Sequence, residues 1–150
     1  MEEKKPVRFC VAVDGSDNSF RALEWAVKKF SAQRQDKLAL LYVQPKSTAL
    51  ETLMDPFDVL HVTNKQLREF AESRLERFEK FCAEHKVNYE RRIVITDRDP
   101  KEDICEEVQF FGADFLVVGA RGVGQLQRLL LGSTSEYCVN HCLCTVVVVR

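Results

Sequence analysis

Four of the six glycines, Gly119, Gly122, Gly124 and Gly132, gather in one stretch near the C-terminus. The stretch follows an apolar run, Asp114-Phe115-Leu116-Val117-Val118, and leads into Ser133-Thr134, which open a helical pattern. Glycine lets the main chain adopt positive φ and come close to a ligand, so successive N–H groups can converge on one anion. The N-terminus of a helix adds free N–H donors and a partial positive charge. Arg121 and Arg128 can each add a charge-assisted bond. These residue types in this order suit a phosphate group. Composition leaves another reading open beside it: glycines in a tight turn, Ser133 as a plain N-cap, and Val123–Leu131 as an apolar loop packed on a sheet.

Two further positions belong to the same chemistry. Asp14 ends the first apolar run, Phe9-Cys10-Val11-Ala12-Val13, and can accept from ribose hydroxyls or hold a divalent ion against phosphates. From spacing, Asp14 fits equally well as part of a helix-capping turn with Ser16 or Asp17. Val43 ends the second run, where its backbone N–H and C=O can meet an adenine edge. Other phosphate and catalytic motifs are missing. No Gly-Lys-Ser/Thr triplet is present, the first turn carries only Gly15, and the nucleophile elbow G-x-S-x-G does not occur. His61, His85 and His141 read as surface or boundary residues rather than general bases.

The elements that position these residues follow from periodicity. The continuous apolar run at 9–13 reads as a strand covered on both faces, and 38–43, 92–96, 114–118 and 145–149 read as the other four strands. Between them lie helical patterns: Phe20, Leu23, Ala26 and Phe30; a long one from Thr63 through Leu67, Ala71, Leu75 and Phe78; one opened by Asp99-Pro100 and ended by Gly112; and a short one from Ser133 to His141. The charged residues of the long helix mix both signs and read as a solvated face. Residues 45–62 hold Pro45 and Pro56 among apolar residues and read as a loop with a helical turn on the sheet, or as a lid. Strands joined by helical crossovers give an α/β fold, a parallel sheet with helices on both faces in three layers. Such sheets bind ligands beyond the carboxyl ends of their strands.

The chain has 150 residues, a length that reads as one domain over 1–150. Lys and Arg number 22 against 23 Asp and Glu, which gives no electrostatic case for nucleic acid. No apolar run reaches the ~20 residues of a membrane span, and the N-terminus lacks a signal-peptide pattern, so the expectation is a cytoplasmic protein. The six cysteines are therefore expected as reduced thiols. Cys138-x3-Cys142-x-Cys144 beside His141 is the one metal-like constellation; it lacks a second half and reads as thiols near a helix end, with a redox role as the other candidate.

On Val11-Ala12-Val13-Asp14-Gly15-Ser16, Ala22-Leu23-x-Trp25-Ala26 and Gly119-x2-Gly122-x9-Gly132-Ser133, the chain resembles the universal stress protein family over nearly its whole length. The last spacing is that family's ATP-binding signature. The resemblance implies a five-stranded parallel sheet of order 3-2-1-4-5 and binding of ATP or a related nucleotide, ADP or AMP, with or without Mg²⁺. It implies that Asp14 meets the ribose or a metal-bound phosphate, that Val43 binds adenine, and that Gly119, Gly122, Gly132, Ser133 and Thr134 hold phosphates, with Arg121 in addition. It also implies a homodimer through the last strand, whose Val146–Val149 run would be an apolar edge. Where the family often has Cys-Pro before that strand, this chain has Cys144-Thr145. The expected activity is a nucleotide-dependent regulatory binder. The alternatives are a slow ATPase and an interaction protein that ignores nucleotide.

Overall fold

A computed structural model describes residues 5–30, 35–47, 62–120 and 131–150. Five strands and four helices are described: β1 (Arg8–Val13), α1 (Asp17–Lys29), β2 (Lys37–Pro45), α2 (Asn64–Glu84), β3 (Tyr89–Thr96), α3 (Pro100–Phe111), β4 (Phe115–Gly119), α4 (Ser133–His141) and β5 (Thr145–Val149). The strands form one parallel sheet in the order β3-β2-β1-β4-β5. The order implied by the resemblance is the order found. The chain winds outward from β1 to β3, then returns to lay β4 on the other side of β1. This reversal opens a crevice at the carboxyl ends of β1 and β4.

The local signals for helix ends are used as their chemistry requires. Ser16 caps α1 by accepting from the Ser19 N–H at 3.2 Å. Thr63 and Gln66 form a reciprocal capping box at the start of α2. Asp99 caps α3 ahead of Pro100, and Gly112 ends it. Among the described residues, no helix is long and apolar enough to cross a membrane.

Two strands differ from their apolar runs. β2 continues through Pro45, since its pairing with β3 runs on to Pro45↔Thr96. β3 begins three residues before Arg92, at Tyr89. Its first half carries charge because β3 is an edge strand whose side chains are neutralised from both layers: Arg91 reaches Glu79 of α2 at 2.6 Å and Arg92 reaches Glu107 of α3 at 2.6 Å. Charge on an edge also discourages pairing with foreign strands.

The two faces of the sheet carry separate cores. α1 and α2 cover one with Phe78, Leu75, Leu23, Phe9 and Tyr42. α3 and α4 cover the other with Ile104, Val108, Phe111, Cys10 and Cys138. The expectation of six reduced thiols does not hold. Cys105 and Cys142 form a disulfide, with Cα atoms 5.1 Å apart. Their separation of 37 residues hid the pair from the sequence, because only the packing of α3 beside the end of α4 brings them together. Cys10, Cys82 and Cys138 are buried thiols and Cys144 is a half-buried one.

Candidate functional site

The crevice at the strand ends encloses a cavity of about 440 Å³. Its apolar floor is Ala12, Val13, Leu41, Val43 and Val118, and α1, α2, α3 and α4 each add to its wall. The volume suits a small-molecule ligand, for which apolar lining with a few convergent polar groups is usual.

Asp14 leaves β1 onto this cavity. Its carboxylate accepts from the Ser16 N–H at 3.0 Å and from the Ser16 hydroxyl at 2.5 Å. The same Ser16 oxygen accepts from the helix N–H of Ser19. The capping role therefore falls to Ser16, and Asp14 orients the cap while its exposed carboxylate faces the cavity. Gly15 between them has φ +86°, which L side chains rarely adopt. A Cβ there would also meet the Arg74 guanidinium at 2.9 Å. Arg74 thus lies over the turn, on the cavity wall contributed by α2.

Arg74 also joins a polar chain along β2. Its guanidinium lies near the Tyr42 hydroxyl, which donates to Gln44 Oε1 at 2.8 Å; Gln44 Nε2 then donates to the Pro45 carbonyl at 2.7 Å. Burial pushes the Tyr42 phenol above its ordinary range, and the nearby Arg74 guanidinium partly offsets this. Pairing of β1 with β2 stops at Val13↔Tyr42, so from Val43 onward the side of β2 that faced β1 borders the cavity.

Gly119 ends β4 beneath the first turn of α1. A Cβ there would lie 2.5 Å from the backbone of Asn18 and 2.8 Å from the Ser19 nitrogen. Contact at that range with backbone has no flexible partner to give way, so only glycine fits. The N-terminus of α4 lines the same cavity. Its cap, Gly132, has no side-chain hydrogen bond to offer, and Thr134 and Ser135 of the first turn line the wall. The Ser135 hydroxyl donates back to the Gly132 carbonyl at 3.0 Å. A nine-residue helix with a bare first turn presents main-chain donors and the positive end of its dipole.

Of the positions singled out from sequence, Asp14, Val43, Gly119, Gly132 and Thr134 lie on this one cavity. Ser133 is exposed and stands outside the lining, where Ser135 takes a place instead. Arg121 and Gly122, with Gly124 and Arg128, lie outside the described residues, as do His61 and most of the stretch read as a lid. His85 and His141 each contact a carbonyl of their own helix, at 2.9 and 2.8 Å, and neither lines the cavity. The sequence pattern did not single out Phe70, Arg74, Tyr42 or Gln44. Arg74 had a signal: positions 67, 71, 74 and 78 share one helical stripe, and an arginine stands in it among Leu67, Ala71 and Phe78. Among the described residues, Asp14 is the carboxylate and Arg74 the cation of the lining. One carboxylate can hold Mg²⁺ only together with phosphate oxygens and water.

Comparison with known proteins agrees with this architecture. The model of the universal stress protein family matches residues 7–150. The "Universal stress protein A-like protein" of Arabidopsis thaliana is 31% identical over 164 residues, covering 97% of this chain and 91% of that protein. A crystal structure of a universal stress protein family protein from Arabidopsis thaliana with AMP bound is 30% identical, with a TM-score of 0.64 over 96% of this chain and 91% of its own. The universal stress protein structure from Archaeoglobus fulgidus shares the fold, at 18% identity and a TM-score of 0.70, over 97% of this chain and 95% of its own.

Proposed function

Because the chain belongs to the universal stress protein family, we propose that its cavity binds an adenine nucleotide and that the protein acts as a nucleotide-dependent regulatory binder in a stress response. The observation that carries the reading is that the first turn of α4, with no side-chain cap, lines one apolar-floored cavity together with Asp14 and Arg74. The AMP in the similar Arabidopsis protein supports the ligand class.

The roles follow from chemistry. The N–H groups of the first turn of α4, with Thr134 and Gly132, suit a phosphate. Arg74 is placed to add a guanidinium to the same charge, a role unforeseen from the sequence. Asp14 suits ribose hydroxyls or a phosphate-bound Mg²⁺. Val43 and Leu41 give an apolar seat and main-chain groups for adenine. We place Arg121, Gly122 and Ser133 with the phosphates on the glycine spacing alone. ATP is the nucleotide that this spacing favours, over a single domain spanning 1–150.

A binder is favoured over a catalyst. Phosphoryl transfer asks for a positioned base or water-orienting group and a clamp on the transferred phosphate, and neither histidine described lines the cavity. Slow hydrolysis is the alternative reading. The reading further includes a cytoplasmic homodimer through β5, an edge strand whose Val146–Val149 side chains are only half-buried.

Calorimetric titration with AMP, ADP and ATP tests the ligand. Arg74→Ala and Asp14→Ala are each expected to weaken the preferred nucleotide roughly tenfold, equal to ~1.4 kcal/mol, while far-UV circular dichroism shows the fold retained in both. Wild-type protein that binds none of the three at millimolar concentration would overturn the reading. Turnover with excess Mg²⁺ decides between binder and ATPase, and sedimentation at tens of micromolar decides the dimer.

A further inference from the structure

Five of the six cysteines collect on the α3/α4 side of the sheet: Cys10 and Cys138 in the core of that face, with Cys105, Cys142 and Cys144 packed against it. They come from β1, from α3, from α4 and from the segment after it, so the sequence does not announce the cluster. Three of the sulfurs, those of Cys105, Cys138 and Cys142, lie within 4.8 Å of one another. They are not equivalent. Cys138 is fully buried, and burial pushes its thiol up to about 11. Cys105 and Cys142 are half-buried, reachable from solvent, and joined. Their Cα separation of 5.1 Å fits an ordinary disulfide without movement of either helix. Neither lines the nucleotide cavity.

We propose that Cys105 and Cys142 are a reversible oxidation site, a dithiol that exchanges with small-molecule disulfides of the glutathione class and, once oxidised, staples α3 to the C-terminal end of α4. The thiolate is the attacking species, and exchange needs access to a sulfur, which a half-buried pair retains and a fully buried one lacks. One of the two cysteines loses its proton and attacks a sulfur of RS–SR. That S–S bond breaks, RS⁻ leaves and takes a proton, and a mixed disulfide stands on the protein. The second cysteine, as thiolate, attacks the protein-side sulfur and expels the other RS⁻. Two electrons pass from the cysteine sulfurs to the small disulfide, and two RSH form. Excess thiol runs the steps backward. Cys138, dry and protonated beside the pair, stays a thiol throughout and leaves one pairing open.

The position of Cys142 suits reversal. It is the C-cap residue of α4, with extended backbone at φ −72° and ψ 140°, and its N–H is already satisfied by the Cys138 carbonyl at 3.0 Å. Breaking the bond frees a side chain outside the helix and leaves every helical hydrogen bond in place.

The test equilibrates the full-length protein, without nucleotide, in graded ratios of reduced to oxidised glutathione. Thiols are then trapped by alkylation in denaturant and mapped by mass spectrometry. The expected result is one Cys105–Cys142 linkage per chain in oxidising buffer, lost in excess reduced glutathione, with the other four cysteines alkylated throughout. Oxidised wild type should melt roughly 5 to 15 °C above the reduced form. Cys105→Ser and Cys142→Ser should each abolish both the linkage and that difference, and two variants guard against a folding defect in either. Six alkylated cysteines at the most oxidising ratio would overturn the proposal, as would linkage through Cys138 or between chains. The same three sulfurs could instead serve a thiophilic metal. Stoichiometric Zn²⁺ that withstands a chelator and blocks the linkage would likewise overturn the proposal.

Discussion

The two faces of the sheet solve the same problem with different materials. On one, α2 runs for 21 residues and buries Leu67, Ala71, Leu75, Phe78 and Cys82, while the Phe20 ring of α1 meets Phe78 tilted at 5.5 Å and Phe81 edge-on at 5.1 Å. On the other, α3 and α4 have 12 and nine residues, and sulfur occupies much of the space between them and the sheet. Aromatic and aliphatic side chains bury large areas and hold a long helix without a cross-link. Cysteine is a small hydrophobe that buries less, and that is the face where a covalent staple is found. The cavity lies where the faces meet, with Phe70 and Arg74 from one side and Ile104 and Thr134 from the other. A ligand there would meet side chains of both layers.

The contrast makes graded predictions. Phe78→Ala should have the largest effect, a loss of ~3–5 kcal/mol in denaturant unfolding, because a fully buried ring leaves a cavity that rigid neighbours cannot fill. Removal of the Cys105–Cys142 bond in oxidising buffer comes next, at ~2–4 kcal/mol. If the serine variant proved costlier than the phenylalanine truncation, the idea that carbon suffices on one face while sulfur needs a link on the other would be wrong.

Alkaline pH should touch both faces, the α3/α4 face more, because burial there also raises the Cys10 and Cys144 thiols. The thiols of Cys82 and Cys138, one on each face, are each raised from 9.0 to about 11 by burial. Between those values the unfolded chain releases the proton and the folded chain keeps it. Stability present below pH 9.0 should therefore fall as pH rises toward about 11. Unfolding measured across that window should flatten in Cys82→Ala and again in Cys138→Ala; a slope unchanged in both would assign it to other groups.

The smallest expected effect joins α1 to α2 at the surface. Arg77 donates to Asp17 at 2.6 Å and holds its carboxyl below the ordinary value of 3.8. The pair favours the folded state above that value and loses the contribution as pH falls through the lower folded one. Both side chains are exposed, so Asp17→Ala should change the unfolding midpoint at neutral pH by little more than measurement error. A large shift would mean that surface charge, not buried carbon, sets the α1/α2 layer.

Patterns that act over a few residues could be read directly. Apolar runs gave the five strands, Asp99-Pro100 and Gly112 bracketed α3, and the glycine spacing with Asp14 and Val43 pointed to the edge where the cavity opens. These signals are local because hydrogen-bond caps and burial periodicity act within a turn or a strand. The charged first half of β3 was hidden because Arg91 and Arg92 find their partners on α2 and α3. Arg74 went unread because the stripe it shares with Leu67, Ala71 and Phe78 was followed for its apolar members, and only the packing of α2 over the Gly15 turn brings its guanidinium to the cavity. The steric need for Gly119 comes from Asn18, a hundred residues away in sequence, and the bond between Cys105 and Cys142 from helices that pack only after β4 is laid beside β1. The sequence alone thus decided which elements form and which edge of the sheet carries the polar and glycine residues. The tertiary structure alone decided which of those residues share a wall and which thiols meet, because side-chain proximity across elements is set by how the layers close and leaves no periodic trace in the chain.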